Sequence, residues 1–458
     1  MTLKNILHTG LCALLLMSAA SCRKSSALDV DMSKYVIDNP PSTDLDNWIT
    51  DNLTNPYNIQ LQYRYERDLL GDVGKDVSPV KLDKVQPTAQ AIINVFLKTY
   101  EKVAGVAFIK THTPKQFVLF GSASYNTDGS FTQGSADGGR RVILYDLNNL
   151  DFTNPAQVST KMLTIHHEFT HILNQTIAIQ PEYQLVTKSD YLTNWTDDNN
   201  TADVAKNLGF ISRYARMNYN EDFAETVAYL LTKGQLWYDS CAKTASADGL
   251  TKLKKKEALV VDYFKQSLSI NFRDLQNEVS KVLRVIYNDK SKSILYAWQK
   301  NLINPQLTMN FNEPVYTQYG QSAKFKAIWE NVKAALKTAN YTLDSFKAVF
   351  KSPTIIQMQQ SFTTATGTPL VAWYDFNYTI SANDIITFTP IDSSSSTTLP
   401  YVIAKQAAAG FAPLNNYLKN NPFKTDWMPP GAEGGGNYLK YGGFYVNNEP
   451  DNYFYGKL

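Results

Sequence analysis

The residues best suited to chemistry lie together in one short segment, residues 166–171, which reads His-His-Glu-Phe-Thr-His. It contains the pattern His-Glu-x-x-His at His167, Glu168 and His171. On a helix, side chains four residues apart lie on one face, so the two imidazoles could bind one zinc ion at about 2.0–2.1 Å. Glu168 projects from the neighbouring part of that face. It could take a proton from a zinc-bound water, whose pKa falls to about 7.

Histidine is scarce in this chain, which has five in all. One lies in the first ten residues, His112 stands alone, and the other three fall within residues 166–171. Such clustering favours a metal centre over a chance match on a core helix. His166 would point about 100° away from His167 on a helix, so we assign it to packing or to a contact behind the ligands.

A catalytic zinc needs a third protein ligand, and no histidine follows His171. That ligand must therefore be a carboxylate, a tyrosine or a less usual group. The best candidate is Glu221. Glu225 lies four residues later on the same helical face, where it could accept a hydrogen bond from a ligating imidazole and orient it. Asp222 is an alternative ligand, because the phase of a helix near its terminus is uncertain.

Two helices are predicted to position these residues. The first covers about residues 155–175, because Asn154 can cap it and proline is favoured at its first position, Pro155. The second begins near 218–221 and ends at Lys233-Gly234, a basic residue followed by glycine. The first helix also carries an apolar stripe at helical spacing, formed by Met162, Ile165, Phe169 and Ile172.

The rest of the chain alternates helical and β-rich patterns. Helical spacing predicts helices over residues 84–104, 247–287 and 323–350. Short β-rich runs predict strands over residues 106–109, 117–120, 142–145, 374–378, 385–390 and 441–446. Residues 128–139 and 393–398 are predicted loops. These patterns indicate an α+β protein with a first domain over residues 45–305 and an accessory domain over residues 306–458, β-rich in its second half.

The N-terminus is typical of an exported protein. Lys4 precedes a short apolar run, residues 11–20, which is too short to span a bilayer. Small residues then lead to Cys22, so we predict a signal peptide over residues 1–21, lipidation of Cys22 and a tether over residues 22–44. Ordinary signal cleavage is the alternative. Cys241 is the one cysteine left outside this region, so no intramolecular disulfide is expected.

Composition excludes several function classes. Hydrophobic residues are 43% and charged residues 19% of the 458, which is typical of globular protein and not of a disordered chain. The formal net charge is +2, without a strong basic block. The sequence therefore gives no reason to expect nucleic-acid binding.

The second motif resembles that of the gluzincins, and more narrowly the anthrax-lethal-factor-like zincins. These carry a helix with Glu-x-Phe-Ala-Glu downstream of His-Glu-x-x-His, matched here by Glu221, Phe223, Ala224 and Glu225. They also carry a catalytic tyrosine seven residues before the ligand glutamate, which corresponds to Tyr214. The resemblance implies that Tyr214 donates a hydrogen bond to the oxyanion of the transition state. It also implies a zincin-like fold for the first domain.

The whole chain resembles zinc metallopeptidase lipoproteins of Gram-negative bacteria, which are typically encoded beside TonB-dependent importers and their glycan-binding partners. This resemblance implies an outer-membrane lipoprotein, facing the periplasm or the cell surface, that hydrolyses peptides or glycopeptides for nutrient uptake beside importer components. An extended substrate is expected to pair with an edge strand, for which residues 142–145 are the candidate.

Two other functions stay open on the sequence. The first keeps the metal centre but changes the bond, to peptidoglycan stems, glycopeptides or glycan-linked amides. The second is a glycan- or peptide-binding lipoprotein in which zinc is structural or catalysis is lost. Glu168 weighs against the second, because a purely structural site needs no base there.

Overall fold

The computed structural model describes residues 41–70, 74–126, 129–137, 140–429 and 436–458. The predicted signal peptide, Cys22 and residues 22–40 of the predicted tether lie outside the described residues. Across the described ranges, we find no helix that combines the length and the apolar character needed to cross a bilayer.

Helices and short strands alternate up to residue 304. The helices are α1 (Asp44–Ile49), α2 (Asn55–Tyr57), α3 (Leu82–Ala91), α4 (Lys98–Ala104), α5 (Val106–His112), α6 (Pro155–Asn174), α7 (Pro181–Val186), α8 (Ala202–Asn207), α9 (Tyr219–Thr232), α10 (Gln235–Lys243), α11 (Ala247–Leu268), α12 (Phe272–Ile286) and α13 (Ile294–Gln299). The strands are β1 (Gln60–Gln62), β2 (Gln116–Leu119), β3 (Ser124–Tyr125), β4 (Phe131–Thr132), β5 (Gly134–Asp137) and β6 (Arg141–Leu144).

Short 3-10 and π-helical segments join some of these elements. Single 3-10 turns cover Arg67–Leu69, Lys188–Asp190, Tyr214–Arg216 and Lys290–Lys292, and π-helical segments cover Thr50–Thr54 and Ile92–Leu97. The second π segment joins α3 to α4, so the helix predicted over residues 84–104 is confirmed. It ends at Gly105, whose φ of 90° favours glycine. The helical region predicted over residues 247–287 is two helices, α11 and α12, because the chain turns at Ser269, which has a φ of 56°.

The first sheet has the order β1-β2-β6-β5. Strands β1, β2 and β6 are parallel, and β5 runs antiparallel to β6. The expectation that residues 142–145 form an edge strand is therefore wrong: β6 is confirmed as a strand but lies between β2 and β5. The edge strand next to β6 is β5, and β1 is the opposite edge. Strand β5 lies within a segment predicted to be a loop because glycine and small polar residues dominate it.

A second prediction fails at residues 106–109, which form a helix rather than a strand. Only Ile109 of α5 is buried. Four residues are too few to separate a helical from an alternating pattern, and the β-propensity of Val106 and Phe108 is overridden by the context.

Residues 306–429 and 436–458 build an eight-stranded closed barrel with helices packed against it. The barrel order is β10-β11-β12-β13-β14-β7-β8-β9, and all neighbours pair antiparallel. The strands are β7 (Gln306–Met309), β8 (Tyr341–Phe350), β9 (Ile355–Thr364), β10 (Pro369–Ile380), β11 (Ile386–Pro390), β12 (Phe423–Trp427), β13 (Tyr441–Val446) and β14 (Glu449–Lys457). The helices are α14 (Pro314–Tyr319), α15 (Ala323–Lys337), α16 (Leu399–Gln406) and α17 (Ala408–Asn420).

The barrel confirms the strands predicted over residues 374–378, 385–390 and 441–446, and the loop over residues 393–398. The helix predicted over residues 323–350 ends at Lys337 and gives way to β8. A β-bulge between Leu343 and Ser345 explains the error. It places Leu343 and Phe346, three residues apart, on the buried face and so imitates helical spacing. The molecule is thus a mixed helical and sheet protein, and the domain boundary near residue 305 stays a prediction.

Candidate metal centre

Helix α6 presents the His-Glu-x-x-His residues. Asn154 caps it as predicted, accepting hydrogen bonds from the Ala156 and Gln157 amides at 3.0 and 3.4 Å. One face is fixed by its buried apolar side chains, including Met162, Ile165 and Phe169. The other face carries His167, Glu168 and His171 toward helix α9.

His166 lies on the packed side of α6. It is fully buried, and its ring lies 5.8 Å from the rings of both Phe96 and Tyr100. Burial lowers the pKa of His166 to about 3, so the imidazole is neutral. The prediction that His166 packs rather than binds metal agrees with this position.

Helix α9 brings the carboxylates. It begins after Asn218, whose side chain accepts hydrogen bonds from the amides of Asn220 (2.9 Å) and Glu221 (3.1 Å). Its last residue is Thr232, capped by Lys233 and followed by Gly234 with a φ of 81°. Both ends match the sequence prediction. The cap fixes Glu221 in the first turn, facing α6.

Three predicted ligands converge on one point. The Nε2 atoms of His167 and His171 lie 3.0 Å apart, and each lies 3.1 Å from the same oxygen, Oε2 of Glu221. Two tetrahedral ligands of one zinc ion, each at 2.0–2.1 Å, are separated by about 3.3 Å. The donor set and its spacing therefore fit a zinc ion, and these three residues form a possible metal site.

In the metal-free protein, the converging side chains shift one another's pKa values. Burial alone would lower the pKa of His167, but the carboxylates of Glu221 and Glu225 outweigh it and raise this pKa to about 10. Burial alone would raise the pKa of Glu221, whereas hydrogen bonds from His167 and His171 hold it well below its usual range. Without a metal, the His167 imidazole and the Glu221 carboxylate thus each favour the charged form of the other.

Glu225 lies behind His167. Its Oε1 is 2.9 Å from His167 Nδ1, although the approach is off the direction of the ring N–H. The hydroxyl of Ser212 donates to Glu225 Oε2 at 2.5 Å and accepts from the Ala215 amide at 3.1 Å. Ser212 therefore connects the carboxylate behind the imidazole to the turn that carries Tyr214.

Glu168 lies beside the three converging atoms without joining them. Its side chain is buried, and burial raises its pKa, although His167, His171 and the Ala136 amide act against this. A carboxylate with a raised pKa is better matched to taking a proton near neutral pH. The contact with Ala136 also ties Glu168 to the edge strand β5.

Tyr214 lies beside His167. The two rings are 5.9 Å apart, and Trp195 packs on the tyrosine at 5.0 Å. Burial, the charge of Glu221 and a hydrogen bond with it raise the pKa of Tyr214. The hydroxyl stays protonated, so it can donate a hydrogen bond.

Asp222, the alternative ligand, points away from the imidazoles. It is fully buried, and its Oδ2 lies 2.6 Å from Lys256 Nζ and 3.0 Å from the Tyr191 hydroxyl. Lys256 is fully buried as well and donates to the carbonyl of Gly209 at 2.8 Å. The geometry therefore brings Glu221, and not Asp222, to the candidate metal centre.

Two adjoining cavities, each of about 520 Å³, open on the centre. Both are lined by His167, Glu168, Tyr214 and strand β5. All three candidate ligands line one of these cavities, and His167 lines both.

The sequence profile of a family described as "putative zinc-binding metallo-peptidase" matches residues 38–273, slightly more than half of the chain. The chain belongs to this family. The coarse prediction of a zinc metallopeptidase-like protein is confirmed by the match, which includes both motif helices. The roles of individual residues stay predictions, because the family description assigns none.

One solved structure shares this description with the family. It is a "putative zinc-binding metallo-peptidase" from Bacteroides caccae ATCC 43185, whose sequence is 28% identical to this chain. The match covers 56% of this chain and 98% of that one, with a TM-score of 0.47. No curated protein matches the chain.

Sequence reasoning missed Ser212, Lys256 and β5. Ser212 and Lys256 are ordinary residue types with no distinguishing spacing, and only the folded chain brings them to α9. Strand β5 carried one weak signal, Gly134, since a glycine can mark a close approach between backbone and a neighbouring element. A Cβ there would lie 2.4 Å from Thr164 Cγ2 on α6.

Proposed function

We propose that this protein is a zinc-dependent peptidase. The observation that carries the proposal is the convergence of His167, His171 and Glu221 within 3.1 Å of one another, with the buried carboxylate of Glu168 beside them. A structural zinc site is normally closed by four protein ligands, whereas a catalytic site has three. Among the described residues, this group has three.

A zinc ion held there would supply Lewis acidity, polarising a carbonyl and lowering the pKa of a coordinated water. Glu168 takes the proton from the attacking water and passes it to the leaving amine, because its raised pKa suits both steps. Tyr214, with its proton firmly held, donates a hydrogen bond to the oxyanion. Glu225 holds the orientation of His167 through Nδ1.

The proposed substrate is an extended peptide or glycopeptide paired with β5. This strand has one free edge in the sheet and passes the Glu168 carboxylate, which contacts the Ala136 amide. An extended segment that adds to such an edge gains main-chain hydrogen bonds. Pairing with β5 replaces the earlier expectation of pairing with residues 142–145.

The resemblance to gluzincins of the anthrax-lethal-factor-like type supports a zincin-like fold for residues 45–305, with α6 as its active-site helix. It rests on the residues at positions 167–171, 214 and 221–225. The arrangement of the carboxylates behind and beside the imidazoles is compatible with that type.

We further propose an outer-membrane lipoprotein anchored at Cys22, facing the periplasm or the cell surface and working beside TonB-dependent importer components in nutrient uptake. The sequence of residues 1–22 and the resemblance to such lipoproteins support this. Radiolabelled fatty acid should be incorporated into the wild type and not into Cys22→Ala. Equal labelling of both would contradict the anchor.

The decisive test of activity is Glu168→Gln in the full mature chain. Zinc, measured by elemental analysis, should stay at one ion per chain, while hydrolysis of a peptide library, followed by mass spectrometry, should disappear. Glu182→Gln, an exposed glutamate on α7, is the matched control and should leave both unchanged. Undiminished hydrolysis by Glu168→Gln would overturn the proposal, and a wild type that binds zinc but cleaves no peptide would favour a binding protein.

A further inference from the structure

One of the two cavities extends from the metal centre along the groove between α6 and α9. The helices run antiparallel, because Ser159 donates to the carbonyl of Thr232 at 3.4 Å while His167 contacts Glu225. The groove therefore leads from the imidazoles toward Lys233, at the end of α9. From Glu225 to Lys233 the helix rises about 12 Å.

The walls of this groove combine apolar and aromatic side chains with polar ones in similar measure. They include Phe131, Leu163, Trp195, Met217 and Tyr229. At the metal end the charged groups are Glu168 and Glu225, and at the far end the charged group is Lys233. The groove is thus polarised along its length, negative beside the metal ligands and positive at the opposite end.

Lys233 is half-buried, and the described residues provide no ion-pair partner within 4 Å of its ammonium group. Burial lowers its pKa, with Asp289 acting against this. Asp289 is already engaged, because it accepts from the amide and hydroxyl of Ser291 at 3.1 and 2.6 Å. It also lies 3.9 Å from Lys292, a second buried lysine that donates to the Lys233 carbonyl at 2.6 Å.

Two lysines and one aspartate leave a net positive charge at the Lys233 end of the groove. A partly desolvated cation without a partner is costly, and it gains when a carboxylate enters. The carbonyls at the end of α9 also favour a cation at this position. The helix carbonyls account for a lysine at the end of α9. They do not account for the position of its side chain on the wall of the groove.

We propose that Lys233 binds a carboxylate of the substrate, so that this metal centre prefers acidic peptides. The inference rests on the proposed peptidase function and names its substrate class. An extended chain advances about 3.3 Å per residue, so a separation of about 12 Å places the carboxylate about three to four residues from the cleaved bond. It comes from an aspartate or glutamate side chain or from the free C-terminus of the peptide.

The test compares matched peptides that differ only in charge. One pair has Glu or Gln near the cleaved bond, and the other has a C-terminal carboxylate or a carboxamide. For wild type, kcat/KM should be about 10- to 100-fold higher for the charged member of one pair, as expected for a hydrogen bond to a charged group. The pair that responds identifies the source of the carboxylate.

Variants of Lys233 test whether this residue causes the preference for charged peptides. Lys233→Met should reduce the charged-to-neutral ratio to about one, Lys233→Arg should retain part of it, and Lys233→Glu should invert it. Lys265→Met, which removes an exposed lysine of α11, should keep the wild-type ratio. Cleavage without any charge preference, or a preference that survives in Lys233→Met, overturns the inference while leaving the peptidase proposal intact.

A second measurement does not depend on turnover. Zinc-loaded Glu168→Gln protein is titrated calorimetrically with Ala-Ala-Ala-Glu and its uncharged Gln-amide counterpart. The acidic peptide should bind about tenfold or more tightly, and Lys233→Met in this background should abolish the difference. Equal affinities, or no binding of either peptide, would overturn the inference even if no hydrolysis is found.

Discussion

The hydroxyl of Ser212 lies 2.5 Å from Glu225 Oε2, and the other oxygen of that carboxylate lies 2.9 Å from His167 Nδ1. A chain of contacts therefore runs from the turn before Tyr214 to the back of a candidate metal ligand. Partners behind a ligating imidazole fix its orientation and its basicity.

Removing the Ser212 hydroxyl should weaken zinc binding. In Ser212→Ala, Glu225 loses a short hydrogen bond and is free to turn away from His167, so zinc affinity should fall about 10- to 100-fold. Competition with a chromogenic chelator measures the affinity. Ser395→Ala, an exposed serine in a barrel loop, is the control. An unchanged zinc affinity in Ser212→Ala would show that the serine only packs.

The buried pair Asp222–Lys256 should be critical for stability. Lys256→Met leaves an unpaired buried carboxylate, which is expected to cost about 3–5 kcal/mol in the free energy of unfolding. Adding Asp222→Asn removes the buried charge and should recover part of that loss. Urea denaturation of the two variants measures both values. A double variant no more stable than Lys256→Met would contradict the assigned role of charge.

Zinc binding should release a proton. The pKa of His167 in the metal-free protein is raised to about 10, so its imidazole is protonated at pH 7.5 and must lose that proton to ligate. Zinc affinity should therefore rise with pH, by about tenfold per unit, until pH approaches 10. Calorimetry in buffers of different ionisation enthalpy should detect about one proton released. Release of none would mean that His167 is neutral before the metal binds.

The raised pKa of His167 also predicts how the stability of the metal-free protein depends on pH. Because the folded pKa of His167 lies above its usual 6.5, its contribution to stability is complete below pH 6.5 and is lost as pH rises through about 10. In His167→Gln this decline should disappear. Thermal unfolding of both metal-free proteins between pH 6 and pH 10 makes the comparison.

The close approach of β5 to α6 should be essential for the shape of the cavities at the candidate metal centre. In Gly134→Ala the new Cβ would meet Thr164 Cγ2 at 2.4 Å, which should cost about 1–3 kcal/mol of stability and displace the strand from Glu168. Peptide hydrolysis should fall at least about tenfold. Thr164→Ser removes the clashing methyl group, so Gly134→Ala/Thr164→Ser should recover most of the activity. If the double variant is no better, the contact does not position the strand.

Local patterns predicted the helices that carry the centre. Asn154 and Asn218 are recognisable caps, Gly234 marks a helix end, and the spacing of His167 and His171 places both on one face. These signals act within a single helix, so they can be read from neighbouring residues.

Long-range relationships could not be predicted in the same way. The order of strands in a sheet depends on the whole fold, which is why residues 142–145 were expected at an edge that β5 occupies. The β-bulge at Leu343 made the sequence of strand β8 resemble that of a helix. It changed the spacing between buried residues from two positions to three. Ser212 and Lys256 reach α9 only through tertiary packing.

Anomalous diffraction at the zinc edge from crystals of the zinc-loaded protein would locate the metal ion and its ligands. We expect one strong peak bound by the Nε2 atoms of His167 and His171 and a carboxylate oxygen of Glu221, at about 2.0–2.2 Å from each. A peak elsewhere, or one at the two imidazoles with Glu221 turned away from the ion, would contradict the proposed metal site.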